Sequence, residues 1–290
     1  MIKVLITGAD SYIGTSFEKY INEHFEDYCI DTVDMIDGTW KERDFSAYDT
    51  IFHVAGLAHS DVGNVSEDVK AKYYSVNTDL TIETAKKAKA EGVGQFIFMS
   101  SAIVYGDSAP IGKNKLITKD TPICPANFYG DSKVQAENGL IELDDENFKV
   151  VVLRPPMIYG KNSKGNYPIL SKLARVCPIF PYVKNQRSML YVKNLAEFVR
   201  LMIVNGERGI FFPQNAEYSN TSELIKMIAD AHGKNVLLVK GFSCCLRIMS
   251  LLTGLVNKAF GNMTYEMSMS EYKDNYRICD LKKSIEETEV

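Results

Sequence analysis

Histidine and tryptophan are scarce in this 290-residue chain, with four of the first and one of the second. The histidines, His24, His53, His59 and His232, share no ligand-like spacing with one another or with cysteine, so no metal site is expected. The six cysteines (Cys29, Cys124, Cys177, Cys244, Cys245 and Cys279) form no C-x-x-C pair and read as reduced thiols, not as a disulfide framework. Basic charge is not in excess either: 33 Lys and Arg against 37 Asp and Glu leave a net charge of −4. That sum excludes the basic footprint of a nucleic-acid binder and gives no reason to expect attraction to an anionic membrane. Trp40 and the tyrosines show no stacking pattern for bases. Long apolar runs are missing too. The richest stretch, Phe242 to Phe260, is interrupted by Arg247, Asn257 and Lys258, and Leu251, Leu252, Leu255, Val256, Ala259 and Phe260 fall at helical spacing. It predicts a docked core helix, not a membrane span. Met1 to Ile6 runs straight into Thr7-Gly8, too short for a secretory signal, so a soluble cytoplasmic protein is expected.

What is present is a globular balance, 46% hydrophobic and 24% charged, and a regular alternation. Lys3–Ile6 is a short apolar run, followed by a glycine turn and a helical pattern with Phe17, Tyr20, Ile21 and Phe25 on one face. Further strands are expected up to Val33-Asp34, at Thr50–Val54, Gln95–Met99 and Lys149–Leu153, with one long helix from Glu67 to Ala90 between them. After Pro155-Pro156 the texture changes to a polar loop, Gly160 to Asn166, then a strand Ser188–Val192, a helix Leu195–Val204 and a strand Gly209–Phe212. Asn220-Thr221-Ser222-Glu223 has the pattern of a capping box. The fold class is therefore α/β: a Rossmann-like, doubly wound parallel sheet with a smaller, interleaved C-terminal substrate lobe. The core is expected over residues 1–155, with 188–212 returning to it, and the lobe over 156–290.

Three motifs carry chemistry. Gly8-Ala9-Asp10-Ser11-Tyr12-Ile13-Gly14 lies between the first strand and first helix, where unpaired helix N–H groups can meet a pyrophosphate. The middle glycine of the usual pattern is Ser11 here. Asp34, 20 residues beyond Gly14, ends the second strand, where a carboxylate accepts from ribose hydroxyls and repels a 2′-phosphate, favouring NAD over NADP. Asp31 and Asp37 stand nearby. Tyr129 and Lys133 are spaced i, i+4 on a helix, and an ammonium near a phenol would lower its pKa toward a general-base range. Ser100-Ser101 ends the fourth strand, where ligands bind in open α/β sheets. The histidines read as structural or surface groups, with His59 bordering a cleft.

These residues resemble the extended short-chain dehydrogenase/reductases, in particular the NAD-dependent nucleotide-sugar epimerase/dehydratase group. Its marks here are Thr7-Gly8 to Gly14, Asp44-Phe45, His53 to His59, Asn77, Ser100 to Gly106, Tyr129 with Lys133, Arg154 to Gly160, and Arg187-Ser188. The resemblance implies that Gly8, Ser11, Tyr12, Ile13 and Gly14 line the pyrophosphate, Asp34 the ribose, and Asp44 and Phe45 the adenine. Ala55 and Gly56 would pass under the cofactor, Asn77 would contact it, and Pro156 would pack near the nicotinamide. Tyr129 and Lys133 would carry the proton and hold the nicotinamide ribose, with Ser101 on the sugar hydroxyl. Asn166 and Arg187 would hold the substrate diphosphate. Asn194 stands where Asp is usual and is expected to be structural.

Family dehydratases place an Asp-Glu pair directly after that serine or threonine. Here the positions are Ala102 and Ile103, so a dehydratase is disfavoured. The expectation is a UDP-sugar 4-epimerase using NAD through a transient 4-keto sugar, in surface polysaccharide precursor synthesis. The alternatives are an NAD(P)H-dependent UDP-4-keto-sugar reductase and a non-catalytic NAD-sensing regulator. A homodimer is implied by the resemblance; nucleic acid and membrane are not expected partners.

Overall fold

The computed structural model describes residues 1–58, 65–242, 246 and 254–290. His59, Cys244, Cys245, Leu251 and Leu252 lie outside the described residues. The strands are β1 (Ile2–Thr7), β2 (Tyr28–Val33), β3 (Thr50–His53), β4 (Gln95–Met99), β5 (Leu116–Ile117), β6 (Lys149–Leu153), β7 (Met157–Tyr159), β8 (Ile179–Pro181), β9 (Met189–Tyr191), β10 (Gly209–Phe211), β11 (Leu237–Val239) and β12 (Thr264–Tyr265). The helices are α1 (Tyr12–His24), α2 (Glu67–Tyr74), α3 (Leu80–Ala90), α4 (Phe128–Ile141), α5 (Tyr167–Val176), α6 (Val192–Val204), α7 (Thr221–Ala231), α8 (Gly254–Phe260) and α9 (Leu281–Glu289). They fall into two compact units. The first comprises residues 1–106, 122–155 and 195–213; the second comprises 107–121, 156–194 and 214–290.

The first unit holds a six-stranded sheet in the order β10-β6-β4-β3-β1-β2, every neighbouring pair parallel. Both faces are covered, which is why its strands are runs of apolar residues instead of alternating ones. Leu5, Ile51, Phe96, Phe98, Val150 and Val152 share a core with Ala85 and Ala88 of α3 and Ala136 and Leu140 of α4. The residues between them face the other way, where Phe52 meets Phe17 of α1 edge-on at 5.2 Å. The chain leaves β1 for β2 on one side and then builds β3, β4, β6 and β10 on the other. That reversal puts a switch point beyond the carboxyl ends of β1 and β3, the place where open α/β sheets bind ligands.

The expected single helix from Glu67 to Ala90 is instead α2 and α3 joined by a π-helical turn, Ser75–Asp79. One extra residue in that turn directs Asn77 and Thr78 inward, and both are buried.

The second unit is built differently. Among its described residues it has three two-stranded parallel sheets, β7 with β9, β8 with β11 and β5 with β12. The return to the first unit begins at residue 195 and not at 188, because β9 pairs with β7 instead of joining the large sheet. Residues 107–121, expected in the core, belong to the second unit because β5 pairs with β12. Polar side chains tie these short strands together. Asn194 is wholly buried; its Oδ1 accepts from Cys279 N at 3.0 Å and its Nδ2 donates to Cys279 O at 2.9 Å. Asn220 caps α7, accepting from Ser222 N and Glu223 N. The Glu223 carboxylate accepts from the Tyr182 hydroxyl and does not close the expected capping box.

Candidate functional site

The glycine loop is shaped by close approach. Gly8 has φ +102°, and a Cβ there would stand 2.9 Å from the Ala55 backbone, so the loops after β1 and β3 touch at the switch point. At Gly14 a Cβ would meet Ser11 Oγ at 2.6 Å and Ile6 Cγ2 at 2.9 Å, which only glycine avoids as α1 presses on β1. Ser11 caps α1, its Oγ accepting from Gly14 N at 3.1 Å. The serine in the middle glycine position is therefore the N-cap. The Tyr12 hydroxyl is buried with no hydrogen-bond partner.

The second group of residues gathers around the end of β4. Ser101 follows that strand and caps a 3-10 turn, Ala102–Tyr105. Gly130, just inside α4, lets the helix approach this turn; a Cβ would sit 3.0 Å from Ile103 O. Tyr129 is thereby brought near Ser101, whose hydroxyl lowers the phenol pKa against the effect of burial. The ring of Tyr73 lies edge-on to Tyr129 at 5.9 Å. Lys133, one turn along, is buried and donates from Nζ to Met99 O at 2.9 Å, 4.6 Å above the Phe98 ring. A Cβ on Gly56 would come within 3.3 Å of that Nζ, so Lys133 reaches the same switch point.

The electrostatics correct one expectation. The Tyr129 phenol is not lowered toward neutrality by Lys133. Burial pushes it up to about 12, the neighbouring Tyr73 adds to the rise, and the Ser101 hydroxyl opposes it. The Lys133 ammonium is committed to the Met99 carbonyl; burial pushes it down to about 8, and Glu137 pulls it back up.

Glu137 carries a role that spacing alone did not assign. It follows Lys133 by four residues, so Tyr129, Lys133 and Glu137 form one helical stripe, which was the available signal. Glu137 is 1% exposed and Arg154 5%. Arg154 grips both carboxylate oxygens, Nη2 to Oε2 at 2.5 Å and Nε to Oε1 at 3.1 Å, and donates from Nη1 to Tyr105 OH at 2.7 Å. Ser100 Oγ donates to Glu137 Oε1. The network thus holds the turn containing Ser101, the end of β4 and the lysine in one frame. His53 makes a second buried frame, between Thr7 Oγ1 at 2.7 Å and Thr81 Oγ1 at 3.0 Å. Burial pushes its imidazole down to about 3, so it is neutral and structural.

The remaining candidates divide. Asn77 Oδ1 accepts from Leu57 N at 2.7 Å and its Nδ2 donates to Ser132 Oγ at 3.1 Å, which pins the loop after β3 to α4. Asp34 is exposed at the end of β2 and accepts from Ile36 N. Asp44 is exposed and accepts from Ser46 N and Oγ, which hold its carboxyl below the usual range. Phe45 differs from expectation. Its ring is wholly buried against Trp40 in the core, and its N–H is donated to Glu91 Oε2 at 2.5 Å. An aromatic ring there fills the hydrophobic core and has no surface left for adenine. Pro156, Asn166 and Arg187 belong to the second unit. Pro156 is buried and Asn166 is exposed just before α5. Arg187 is not a plain loop residue: its backbone exchanges two 2.9 Å hydrogen bonds with Ser219, and its Nη1 donates to Ala259 O at 3.2 Å. Burial lowers its guanidinium pKa.

A parallel sheet with a tight glycine turn at its switch point and a Ser-Tyr-Lys group at a neighbouring strand end defines a short-chain dehydrogenase/reductase fold. The profile of the NAD dependent epimerase/dehydratase family matches residues 4–212, and the chain belongs to that family. Its cofactor is NAD. The cradle fits: a loop admitting no Cβ at Gly8 or Gly14, a helix N-terminus behind it, and an orphaned Tyr12 hydroxyl within it.

Among similar proteins, a UDP-glucose 4-epimerase from Vibrio cholerae is 27% identical over 91% of this chain and 87% of its own length. An N-acetyl-alpha-D-glucosaminyl-diphospho-ditrans,octacis-undecaprenol 4-epimerase from Escherichia coli O157:H7 is 27% identical over 87% and 81%. Two solved structures share the fold. A dTDP-4-dehydrorhamnose reductase from Clostridium acetobutylicum has a TM-score of 0.73 at 16% identity, covering 99% of this chain and 98% of that one. A UDP-glucuronic acid 4-epimerase from Bacillus cereus, in complex with NAD, has a TM-score of 0.72 at 15% identity, covering 99% and 97%.

Proposed function

We propose that the protein is an NAD-dependent 4-epimerase of UDP-sugars, working through a transient 4-keto sugar. The observation that carries this reading is the group at the end of β4: Ser101 near Tyr129, Lys133 one turn further along α4 with its Nζ on Met99 O, and the non-ionisable Ala102 and Ile103 where a dehydratase would need an acid and a base. Tyr129 takes the proton of the sugar 4-hydroxyl and later returns it, while Ser101 holds that hydroxyl in line. Lys133, its ammonium fixed on the Met99 carbonyl, holds the nicotinamide ribose in this reading. The loop from Gly8 to Gly14, with Asp34 on the ribose, would hold NAD, which would supply the reversible hydride acceptor for C4. Asp44, Ala55, Gly56, Asn77 and Pro156 complete the cofactor contacts in this reading; Phe45 contributes only through the core. Asn166 and Arg187 supply polar groups for the substrate diphosphate.

The test is incubation with UDP-glucose and UDP-N-acetylglucosamine, with and without added cofactor. Interconversion of the 4-epimers without net NADH is expected. Stoichiometric NAD(P)H consumption on a 4-keto sugar, without interconversion, would make the protein a 4-ketoreductase using the same residues. The reading also carries a cytoplasmic homodimer serving surface polysaccharide precursor synthesis. Sedimentation at two protein concentrations should give a dimer, and a monomer throughout would remove that element.

A further inference from the structure

The net charge of −4 conceals a strong separation of charge. The first unit has 25 acidic and 14 basic residues, a net of −11; the second has 12 acidic and 19 basic, a net of +7. Two stretches of the second unit supply more than half of its basic residues. Residues 156–194 contain seven Lys or Arg and no Asp or Glu, and residues 231–265 contain four and none.

In the second unit these stretches meet at one surface. Parallel pairing of β8 with β11 sets Ile179 beside Leu237. Register partners in a parallel pair project to the same face, and these two are 59% and 62% exposed. Their inward neighbour Phe180 is buried against Phe260 at 5.7 Å, so the outward aliphatics are not needed to fill the core. Directly before β8, the solvent side of α5 carries Ile169, Lys172, Arg175 and Val176, all exposed and three or four residues apart. A groove of about 270 Å³ joins the elements, lined by Arg175, Val176, Pro178, Lys234 and Val236. Lys240, exposed at the end of β11, lies over the Tyr182 ring. The nearby acidic groups are already engaged: Asp230 with Lys226, Glu289 with His232 and Ser171, and Glu223 with Tyr182.

Exposed aliphatic side chains interleaved with Lys and Arg, on a face where Lys172, Arg175, Lys226, Lys234 and Lys240 outnumber Glu223, Asp230 and Glu289, have the chemistry of a surface that rests on negatively charged headgroups. We propose that the α5–β8–β11 face is a peripheral docking surface for an anionic lipid bilayer. Aliphatic side chains would enter the headgroup boundary, and the lysines and Arg175 would meet lipid phosphates. No described helix is long and apolar enough to cross a membrane, so the attachment is reversible and salt-sensitive. The inference uses residues of the second unit alone and stands independently of the proposed reaction.

Flotation of the full chain with vesicles tests it. Vesicles of phosphatidylcholine containing one third phosphatidylglycerol should carry the protein, pure phosphatidylcholine should not, and added salt should release it. Each basic residue near an anionic surface contributes about fivefold in affinity, so Lys172→Glu with Lys240→Glu should reduce binding by at least about 25-fold. Ile179→Ser with Leu237→Ser should also weaken it, and exposed positions of this kind tolerate such changes, which unfolding midpoints would verify. Lys19→Gln, in the first unit, should leave binding unchanged. Equal binding to neutral and anionic vesicles, no binding to either, or undiminished binding by the patch variants would overturn the proposal.

Discussion

The two units of this chain are held together by different physics. In the first, a single parallel sheet is sealed on both faces, and Leu5, Ile51, Phe96 and Phe98 are wholly buried in its core. In the second, the strands run only two or three residues, and buried amides do much of the joining. Asn215 accepts from Tyr191 N at 2.9 Å and donates to Tyr159 OH at 2.9 Å, while Asn185 binds both the N and the Oγ1 of Thr221. Apolar burial tolerates many sequences of similar volume, but a buried amide needs each partner in place. The first unit should therefore resist polar surface change, and the second should be sensitive to single amide losses.

Breaking the proposed catalytic group should produce the largest effect. Tyr129→Phe keeps the ring against Tyr73 but removes the titrating hydroxyl, so 4-epimer turnover should fall by about 10²–10⁴-fold. The folded protein should still bind NAD, measured by calorimetric titration. Near-normal turnover would remove Tyr129 from its role. In the same unit, Arg154→Leu would leave Glu137 buried and uncompensated. The expected cost is about 3–5 kcal/mol, read from denaturant unfolding. A smaller loss would mean that Ser100 and Lys133 suffice to hold the carboxylate.

The second unit offers two sharper comparisons. Arg187→Ala should weaken UDP binding by about 1.5–3 kcal/mol, the range for a hydrogen bond to a charged group. NAD affinity should hardly move, and equal losses for both ligands would deny Arg187 a substrate role. Asn215→Ala, which strands Tyr191 N and leaves Tyr159 OH with Ser284 alone, should cost about 1–3 kcal/mol. A conservative exposed change in the first unit, such as Lys86→Gln, should cost almost nothing. Finding the two equal would break the contrast between the units.

A further expected effect is one of pH. His53 titrates near 3 when folded, against an ordinary 6.5 when unfolded. Below the unfolded value the unfolded chain binds a proton that the native state does not, so stability falls as pH drops from 6.5 toward 3. The slope from this residue is about 1.4 kcal/mol per pH unit. Unfolding midpoints measured from neutral to mildly acidic pH should show it, and His53→Gln should flatten the curve. An unchanged slope would place the acid sensitivity elsewhere.

The inner strands of the first unit were legible because they are buried runs rich in apolar residues; Gln95–Met99 and Lys149–Leu153 are bounded as expected. The π-helical turn at Ser75–Asp79 was not, since its extra residue leaves the helical pattern around it intact. The second unit's β5 and β12 are too short to show a period, and their pairing spans more than a hundred residues of chain. Within the site, the spacing of Tyr129 and Lys133 could be read, but the committed direction of the lysine toward Met99 O could not.

By itself the sequence determined the parallel sheet, the glycine turn and the presence of a Ser-Tyr-Lys group, because hydrophobic period, turn chemistry and i, i+4 spacing are local properties. Only the tertiary structure decided how those groups are charged and what surrounds them. The rise of the Tyr129 phenol to about 12 comes from burial and from Tyr73 on another helix, and the fixing of Ser100 comes from Glu137 clamped by Arg154. The basic face of the second unit likewise exists because β8 and β11 pair across distant stretches. Desolvation and charge act through space, so they are set by which segments meet and not by the order in which the chain presents them.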